Sequence, residues 1–467
     1  MEITFRLNGQ DTTVPISDPT VTLLDWLRAR GLTGTKEGCN EGDCGACSVI
    51  VSTDGSPRAL NACILFLPQL HGKAIRTVEG LAAPDGTLHP VQQAMIDEHG
   101  SQCGFCTPGF VTTMAAAHAR GDTDHADQIA GNLCRCTGYA PILRAARKVA
   151  RTPVPAHMSE APLPLGGNIP GVREGAGPLA PASADDLAAA YLAHPDATLV
   201  AGATDVGLWV TKQFRDLGRT IFLNRCDDLR GVTVTEDTIR IGAMTDMETL
   251  RHAIAPHFPS FAELLRRYGS VQVRNAATLG GNIANGSPIG DSPPPLIALG
   301  ATLHLRHGDS RRALPLENFF LAYGQQDRRP GEFVEAVTIA RQPDALYCHK
   351  ISKRFDQDIS AVCAAFNLPL IDGVITNPRL AFGGMAGTPR RATHAEAILD
   401  GQAPTLQIFA QAADAFAKDF EPLSDMRASA RYRMDAACGA LMGVLYKMDR
   451  SGSATDPGLY NLLAVQP

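Results

Sequence analysis

The first 80 residues alternate between hydrophobic and polar positions as the strands of a small sheet do. Residues 2–7 and 12–16 both alternate, and Asn8-Gly9 lies between them. Alternation puts every second side chain on one face, and Asn-Gly favours a two-residue turn, so the pattern predicts a β-hairpin. The apolar residues within 22–30, which are followed by Gly31, predict a helix.

Beyond Gly80 the periodicity changes to that of helices. Apolar residues recur at helical spacing in four segments, which are 91–98, 110–120, 124–130 and 142–150. This spacing predicts a small helical bundle. The next segment, 151–181, is rich in Pro and Gly, a composition typical of a linker.

From residue 182 onward the pattern predicts a mixed α/β region. The expected elements are a helix at 184–193, strands at 198–200, 239–241, 301–305, 362–368 and 379–382, and a last helix that includes Met434, Cys438, Leu441 and Leu445.

Composition and charge exclude several classes of protein. The 467 residues are 45% hydrophobic and 19% charged, with a formal net charge of −6 and no block of Lys or Arg. Nucleic acid is not expected as a partner, because phosphate binding needs clustered positive charge. No apolar run approaches the roughly 18 residues that span a bilayer, and the first residues lack the pattern of a secretory signal. We therefore expect a cytoplasmic protein that has no membrane partner.

The cysteines are crowded towards the N-terminus, where eight of the twelve lie within the first 136 residues. In a cytoplasmic protein such crowding favours metal or redox chemistry over disulfides. The other four, Cys226, Cys348, Cys363 and Cys438, fit small buried hydrophobic side chains, and we assign them no chemistry.

The first quartet is Cys39, Cys44, Cys47 and Cys63, with the spacing C-x4-C-x2-C and a fourth cysteine after 15 further residues. This is the spacing of plant-type [2Fe-2S] ferredoxins. The loop must turn backbone N–H groups towards the sulfurs, and its glycines permit such a tight turn. A zinc site is the alternative, although zinc sites usually pair two short C-x2-4-C units.

The second quartet is Cys103, Cys106, Cys134 and Cys136, a C-x2-C pair followed after 27 residues by C-x-C. Each pair lies just before a predicted helix, and helix N-termini favour thiolates and an anionic cluster. Zinc is an alternative for this spacing alone. The quartet upstream favours a second redox centre.

Two later segments combine small residues with hydroxyl and amide side chains. They are Leu199–Val206 (LVAGATDV) and residues 274–291 (RNAATLGGNIANGSPIGD). Close backbone approach with several N–H and O–H donors suits a pyrophosphate, although ordinary turns have the same composition. Neither a Rossmann G-x-G-x-x-G motif nor a P-loop motif occurs.

Taken together, these motifs resemble the molybdenum hydroxylases. GCNEGDCGAC, QCGFCTPG and GNLCRCTGY are similar to the two-cluster module of that family, and LVAGATDV and VQVRNAATLGGNIANGSPIGDSPP to its flavin domain. The region from KRFDQDIS through RLAFGGMAGTPRRA is similar to its C-terminal flavoprotein domain. The order of these modules resembles that of the small iron–sulfur/FAD subunit of bacterial xanthine dehydrogenases.

The resemblance implies a multidomain α+β fold. The expected parts are a β-grasp [2Fe-2S] ferredoxin domain at 1–82, a helical-bundle [2Fe-2S] domain at 83–152, a linker at 153–181, a two-part α/β FAD-binding domain at 182–345 and an α/β C-terminal flavoprotein domain at 346–467.

The resemblance also implies the site residues. The eight N-terminal cysteines would hold two [2Fe-2S] clusters, and no catalytic residue is expected in this chain. Ala203 stands where the family usually has Gly or Asn. The expected FAD contacts are Leu199, Val200, Ala201, Gly202, Ala203, Thr204, Asp205, Val206, Tyr268, Thr278, Leu279, Gly280, Gly281, Asn282, Asp291 and Leu380.

The activity implied by the resemblance is that of an NAD-dependent oxidoreductase. Hypoxanthine or xanthine would be oxidised to urate at a molybdenum cofactor on a large molybdopterin-binding partner subunit, in an α2β2 heterotetramer. Electrons would pass through the helical-domain cluster, the ferredoxin-like cluster and FAD to NAD.

Two other interpretations stay open at the level of the sequence. One is the equivalent subunit of a sister molybdenum hydroxylase that acts on an aldehyde or another N-heterocycle. The other is a zinc-stapled binding module in which the glycine-rich segments are plain turns.

Overall fold

The computed structural model describes residues 1–53, 55–159, 163 and 177–450. They form two compact units. The first contains residues 1–227 and 269–277, and the second contains 228–268 and the described residues from 278 onward. This division runs through the segment 182–345 that we expected to form one FAD-binding domain.

The first unit begins with a five-stranded mixed sheet. Its strands, in spatial order, are Gln10–Pro15, Glu2–Leu7, Ala74–Arg76, Ser48–Ser52 and Pro57–Asn61. The predicted hairpin is confirmed, because the first two of these strands pair antiparallel in full register. Asn8 and Gly9 connect them at φ of 49° and 85°, the positive values that a two-residue hairpin turn requires.

The predicted helix at 22–30 is confirmed as Leu23–Ala29. The Thr22 hydroxyl caps it by accepting a hydrogen bond from the Asp25 amide at 3.1 Å, which satisfies one of the free N–H groups of the first turn. The apolar face of the helix joins the sheet in one core, where the rings of Phe5 and Trp26 lie edge to face at 5.4 Å.

The four predicted helices after Gly80 are confirmed with small shifts of their ends. They are Pro90–Asp97, Thr107–Arg120, His125–Ile129 and Ala140–Val149. The second begins three residues earlier than predicted, because Pro108 fits within the first turn of a helix. Phe110, Met114 and Ile142 are buried in the core of this bundle.

Residues 160–162 and 164–176 of the predicted linker lie outside the described residues. Described residues on either side of them contact the first unit. Met158 is buried in the bundle core, the His157 carbonyl accepts a hydrogen bond from Arg76 at 2.7 Å, and Leu179 pairs with Ile221.

The remainder of the first unit is a small α/β portion. Its elements are the helix Ala184–Ala193, the parallel strands Thr198–Val200 and Thr220–Phe222, and the helices Val206–Thr211 and Val271–Arg274.

The second unit contains a five-stranded antiparallel sheet. In spatial order the strands are Ser310–Pro315, Thr302–His307, Phe333–Ala340, Thr238–Gly242 and Val232–Val234. The helices in this part are Met247–Ile254, Pro259–Arg266, Leu279–Asn285 and Pro293–Ala298, and a short ladder joins Phe320–Ala322 to Gln325–Gln326.

A four-stranded antiparallel sheet follows in the same unit. Its strands, in order, are Leu346–Ile351, Val362–Asn367, Arg379–Gly383 and Arg390–Arg391, with a small ladder between Leu370–Ile371 and Val374–Ile375. The helices Thr393–Leu399, Leu406–Asp419 and Ala430–Arg450 complete the unit. Their shared core is rich in phenylalanine, including Phe366, Phe382 and Phe416.

Single turns of 3-10 helix connect several elements. They are Ala62–Ile64, Leu67–Leu70, Val78–Gly80, Ala156–Met158, Asp227–Leu229 and Leu316–Phe319. Among the helices of the described chain, none is both long and apolar enough to span a membrane.

Candidate functional site

The first cysteine loop lies between the helix Leu23–Ala29 and the strand Ser48–Ser52, and it brings all four predicted thiols together. The Cys39 thiol interacts with those of Cys44 and Cys63, and the Cys47 thiol interacts with that of Cys63. Cys47 and Cys63 are buried, whereas Cys39 and Cys44 are half-buried. The quartet is therefore one cluster of sulfurs at the edge of the core.

Backbone N–H groups of this loop point at the sulfurs, as the spacing predicts. The amides of Asp43 and Cys44 each donate to the Cys39 sulfur at 3.3 Å. The Gly42 amide donates to Cys63 at 3.2 Å, and the Cys39 amide donates to Cys44 at 3.3 Å. Such donors stabilise negative charge on sulfur, as a thiolate-bound cluster requires.

The thiols of this loop compete for ionisation. Hydrogen bonds from Cys44 and Cys63 lower the pKa of Cys39, whereas the pKa of Cys44 is raised because its thiol donates to Cys39 and is partly buried. Close thiols cannot all ionise without a compensating cation. The donor set therefore fits a group that brings positive charge among the sulfurs, as iron does.

Asn61 is a residue of this site that sequence reasoning missed. Its side-chain amide donates to the Gly42 carbonyl at 2.7 Å and holds the tip of the cysteine loop. Gly42 and Gly45 have φ of 79° and 68°, which favours glycine at both positions. Nothing in the spacing of the cysteines pointed to Asn61, because its role depends on the strand that brings it beside the loop.

The second quartet is also brought together, at the start of two helices. Cys106 is the N-cap residue of Thr107–Arg120. Cys103 interacts with Cys136, and Cys106 interacts with Cys134. Cys103 and Cys136 are exposed, whereas Cys106 and Cys134 are half-buried. Burial is the main reason that the pKa of Cys106 is raised to about 12.

Tyr139 and Thr137 hold Cys134 and were not predicted. The Cys134 amide donates to the Tyr139 hydroxyl at 3.0 Å, and the Thr137 hydroxyl lies 3.2 Å from the Cys134 sulfur. Partial burial opposes ionisation of Cys134, but hydrogen bonds from Thr137 outweigh it and lower its pKa. Tyr139 adopts a left-handed conformation with φ of 68°, which turns the chain into the helix Ala140–Val149.

In the first quartet the thiols form one connected chain, from Cys44 through Cys39 and Cys63 to Cys47. In the second quartet they form two hydrogen-bonded pairs, Cys103 with Cys136 and Cys106 with Cys134. Among the described residues, no group of three or more His, Cys, Asp or Glu side chains is arranged to hold a metal ion. In a [2Fe-2S] cluster each iron takes two protein ligands. Four thiols in each quartet supply the four ligands that such a cluster requires.

The two cysteine loops are hydrogen-bonded to each other. The Leu133 amide, next to Cys134, donates to the carbonyl of Cys44 at 3.0 Å, and the Asn132 side chain donates to the Gly45 carbonyl at 3.0 Å. A Cβ atom on Gly45 would lie only 2.2 Å from the Gly131 carbonyl oxygen. The loops thus pack backbone against backbone.

The predicted flavin loop Leu199–Val206 follows the strand Thr198–Val200 in the first unit. Within the described chain, the amides of residues 201–204 have no protein acceptor. Consecutive free N–H groups form an anion-binding concavity, so this loop fits a pyrophosphate. Ala203 has φ of 57°, a left-handed conformation that Gly and Asn adopt more readily than Ala.

This loop also contacts the region of the first cysteine quartet. The Gln69 side chain donates to the Ala201 carbonyl at 2.8 Å. Lys212, just after the helix Val206–Thr211, donates to the carbonyl of Cys39. A Cβ atom on Gly207 would lie 3.0 Å from Ile64, which is the neighbour of Cys63. The first cysteine loop therefore touches the second one and, through Cys39, the residue that follows the helix after the glycine-rich loop.

The second predicted flavin segment, Thr278–Asn282, begins a helix in the second unit. The Thr278 hydroxyl caps it by accepting from the Gly281 amide at 3.2 Å. The amides of Leu279, Gly280 and Asn282 also donate within the protein, to Thr245, Ala243 and Thr278. The first-turn donors that we expected to be available for a phosphate are therefore already paired.

Tyr268 and Asn282 are brought together, with Ser292 beside them. The Asn282 side chain donates to the Tyr268 hydroxyl at 3.3 Å and accepts from the Ser292 hydroxyl at 2.5 Å. Ser292 was not predicted. These hydrogen bonds fix Asn282, at the end of the predicted segment, beside Ser292, which is the residue after Asp291.

Asp291 lies in a buried ion pair. Lys350 donates to one carboxylate oxygen at 2.6 Å, and the Ser360 hydroxyl donates to the other at 2.6 Å. Sequence reasoning identified neither partner, because Lys350 and Ser360 lie 59 and 69 residues away along the chain. The strand Leu346–Ile351 and the segment before Val362–Asn367 bring them to Asp291. Leu380 lies in the strand Arg379–Gly383 of the four-stranded sheet, and it has no exposed surface. Its side chain is therefore not open to a cofactor in this structure.

Family models match four consecutive parts of the chain. A 2Fe-2S iron-sulfur cluster binding domain matches residues 5–67, and a [2Fe-2S] binding domain matches 77–147. The FAD binding domain in molybdopterin dehydrogenase matches 176–341, and the CO dehydrogenase flavoprotein C-terminal domain matches 347–448.

Named relatives agree with these matches. A xanthine dehydrogenase from Emericella nidulans is 32% identical over 86% of this chain and 35% of its own length. Aldehyde oxidase 2 from Cavia porcellus is 30% identical over 84% of this chain and 35% of its own length. The chain thus spans about a third of the length of the curated relatives that it matches.

A solved structure of carbon monoxide dehydrogenase from Hydrogenophaga pseudoflava, a form lacking the Mo-pyranopterin moiety of the molybdenum cofactor, is also similar. It is 29% identical with a TM-score of 0.54, and the match covers 57% of this chain and 94% of that one.

By these domains the chain is an iron–sulfur flavoprotein, with two [2Fe-2S] domains and an FAD-binding domain. The expected multidomain α+β fold is confirmed. The domain set is similar to the parts of the xanthine dehydrogenase and aldehyde oxidase relatives that the chain matches. The interpretation as a zinc-stapled binding module is therefore set aside.

Proposed function

We propose that the chain is the electron-transfer subunit of a xanthine dehydrogenase. It would pass electrons from a molybdenum centre on a partner subunit, through two [2Fe-2S] clusters and FAD, to NAD during the oxidation of hypoxanthine and xanthine to urate. The observation that carries the order of transfer is the position of the first cysteine loop. It is hydrogen-bonded to the second loop at Cys44. At Cys39 it is hydrogen-bonded to Lys212, which follows the helix Val206–Thr211 that continues from the glycine-rich segment.

When bound, iron–sulfur clusters supply one-electron steps, and a flavin links these to hydride transfer. The residues of this chain would hold and tune those groups. Cys39, Cys44, Cys47 and Cys63 would ligate one cluster. Cys103, Cys106, Cys134 and Cys136 would ligate the other.

The proposed flavin contacts differ in how well the protein supports them. The free amides of residues 201–204 support contact with a pyrophosphate. Thr278 to Asn282, Tyr268 and Asp291 are proposed to line the cofactor through their side chains and exposed backbone, since the first-turn amides are paired. Leu380 is the proposed contact with the least support, because it is fully buried.

The substrate and the partner are proposals that rest on similarity. The relative from Emericella nidulans supports xanthine as the substrate. Aldehyde oxidase 2 from Cavia porcellus supports the second candidate, a sister enzyme that oxidises aldehydes. A large molybdopterin-binding subunit in an α2β2 assembly is the proposed partner. Its support is that 57% of this chain matches almost all of a separate chain of carbon monoxide dehydrogenase.

The remaining expectations also stand as proposals. The domain boundaries at residues 82, 152, 181 and 345 are proposed on the motifs, and NAD is proposed as the acceptor on resemblance alone. A cytoplasmic location is proposed on the sequence alone, from the first residues and from the crowding of cysteines that favours metal or redox chemistry.

The test is to purify the chain with its natural partner and to supply xanthine or an aldehyde together with NAD. We expect NADH from xanthine and reduction of both clusters and the flavin. NADH from aldehydes but not from xanthine would favour the sister enzyme. If the clusters are reduced and another acceptor is reduced but no NADH forms, only the proposal that NAD is the acceptor would be contradicted.

A further inference from the structure

A glutamine from outside the cysteine motifs lies where the two cysteine loops meet. Gln272, in the short helix Val271–Arg274, is only 1% exposed. Its side-chain nitrogen lies 2.9 Å from Asn132 Oδ1, 3.2 Å from Ser48 Oγ and 3.1 Å from Thr113 Oγ1. Asn132 lies in the second cysteine loop, and Ser48 is the residue after Cys47. Thr113 lies in the helix Thr107–Arg120, whose N-cap residue is Cys106.

The orientation of the Gln272 amide follows from its neighbours. Asn132 Nδ2 donates to the carbonyl of Gly45 at 3.0 Å, so Asn132 Oδ1 faces Gln272 and needs a donor there. A carbonyl oxygen in place of Gln272 Nε2 would face the oxygen of Asn132 in a buried site. The nitrogen of Gln272 is therefore the group that completes the connection between the loops.

The packing around Gln272 leaves little room for adjustment. A Cβ atom on Gly131 would lie 2.1 Å from Gln272 Oε1, and one on Gly109 would lie 2.2 Å from the Gly45 carbonyl oxygen. Asn132 and Thr113 are each 1% exposed, and Ser48 is 3% exposed. Gln272 Oε1 has no hydrogen-bond partner among the described residues, so the side chain is held through its nitrogen. That nitrogen resists movement, because displacing it leaves the buried Asn132 oxygen without a donor.

The hydrogen bonds of Gln272 lie directly beside the hydrogen bond that joins the two cysteine loops. Asn132 precedes Leu133, whose amide donates to the carbonyl of Cys44 at 3.0 Å. Ser48 follows Cys47 and donates through its hydroxyl to the Gly45 carbonyl at 2.7 Å. A residue that fixes Asn132 relative to Ser48 thus fixes two ligand-bearing loops relative to each other.

We propose that Gln272 is a positioning residue for electron transfer between the two clusters. Gln272 makes no hydrogen bond to a cysteine ligand. It acts through its hydrogen bonds to Asn132 and Ser48. The proposal rests on the two-cluster assignment given above. Its consequence is that a segment belonging by sequence to the flavin region sets the spacing of the two iron–sulfur sites.

The test replaces Gln272→Met, which keeps the length of the side chain and removes its donors. Three measurements on the full chain follow: iron content, magnetic splitting between the two clusters in the reduced protein by EPR, and amide exchange of a peptide containing residues 131–134. We expect unchanged iron, reduced splitting and exchange about tenfold faster, since a buried Asn132 oxygen is left unpaired.

A matched control is Asn275→Ala in the same segment. It removes a buried hydrogen bond from Asn275 to the Ala59 carbonyl at 3.0 Å and touches neither cysteine loop. This control should leave the EPR splitting and the exchange of 131–134 as in the parent protein. An equal change in both variants would overturn the proposal, because it would indicate general loosening of the segment.

A second variant, Asn132→Asp, keeps the acceptor for Gln272 and removes the donor to Gly45. It should lose as much of the EPR splitting as Gln272→Met does. If the Met variant folds poorly, Asn132→Asp tests the same connection between the loops by itself. Full iron with parental splitting in Asn132→Asp, or in a folded Gln272→Met protein, would refute the positioning role. Loss of iron from either variant would also refute it, since the residues would then serve cluster insertion. A parent protein without two iron–sulfur signals would instead refute the two-cluster assignment.

Discussion

At the scale of the residue, three glycines of the predicted flavin segments have different roles. A Cβ atom on Gly202 would lie 1.8 Å from the Ala276 carbonyl oxygen, and one on Gly280 would lie 2.6 Å from the Ala243 Cβ atom. These two glycines allow parts of the protein to pack closely. Gly281 is exposed, and a Cβ atom there would meet only the Thr278 hydroxyl, at 2.9 Å. Only Gly281 therefore leaves free space for a ligand.

Replacing Gly281→Val should expel FAD with little effect on the protein fold. The isopropyl group would occupy the exposed space beside Thr278, where we propose that the cofactor lies. Apart from the adjacent residues and the backbone of its own helix, only the Thr278 hydroxyl lies within 4 Å of the new Cβ atom. The measurements are flavin content after gel filtration and thermal unfolding of the flavin-free protein. We expect most of the flavin to be lost and the free energy of unfolding to change by less than about 1 kcal/mol.

Gly443→Val is a suitable control, because it lies in the helix Ala430–Arg450 with no neighbour within 4 Å of its Cβ position. It should retain full flavin. Stoichiometric FAD in the Gly281 variant would remove Thr278–Asn282 from the proposed flavin contacts.

At the scale of the element, the strand Leu346–Ile351 carries a buried histidine in a hydrophobic core. His349 is 6% exposed, its ring centre lies 5.9 Å from that of Phe366, and its Nε2 atom has no partner among the described residues. Burial, helped by the charge of Lys447, lowers the pKa of His349 to about 3. The strand therefore holds a neutral imidazole that takes up a proton on unfolding.

This burial predicts loss of stability in mild acid. Below its ordinary pKa of about 6.5, His349 is protonated in the unfolded chain and neutral in the folded one, so falling pH favours unfolding until the folded pKa is reached. Replacing His349→Gln should abolish this contribution. Relative to the parent, the variant should gain about 2 kcal/mol of unfolding free energy between pH 7 and pH 5.

The measurement is urea unfolding followed by circular dichroism at several pH values. His307→Gln, at the half-buried end of the strand Thr302–His307, serves as the control and should follow the parent. Parallel pH profiles of parent and His349→Gln would show that His349 does not cause the acid sensitivity.

At the scale of the whole molecule, the two cysteine quartets come from separate parts of the first unit. One lies against the mixed sheet, with Cys47 and Cys63 in the core of that sheet. The other lies at the ends of the bundle helices, with Cys106 and Cys134 packed against the bundle core. Each quartet has its own hydrophobic support, although the two loops meet at Cys44 and Leu133.

Replacing Cys44→Ser should therefore remove one cluster and spare the other. The serine oxygen is a poorer ligand for iron than a thiolate, and the backbone carbonyl that accepts from Leu133 is unchanged. Iron should fall from about four to about two atoms per chain, with one of two EPR signals lost.

Cys438→Ser is the matched control, since Cys438 is a half-buried cysteine with no proposed ligand role. It should keep all of the iron. Disappearance of both signals from a folded Cys44→Ser protein would mean that the clusters depend on each other.

The sequence by itself determined the local elements and predicted the two sets of cysteine ligands. The Asn8-Gly9 hairpin, the capped helix after Thr22 and the bundle helices follow from short-range pattern, because turn geometry and side-chain periodicity depend on neighbouring residues. The same is true of the cysteine spacings, since a short loop must wrap its cluster with ligands that are close along the chain.

Only the tertiary structure decided which distant residues serve the sites. Gln272, Asn61 and Lys350 carry no local signal, because their roles depend on partners that the fold brings from far along the chain. It also decided that the first-turn amides after Thr278 are paired and that Leu380 is buried. Hydrogen bonding and burial depend on what packs around a residue, and long-range packing is not encoded in any short segment.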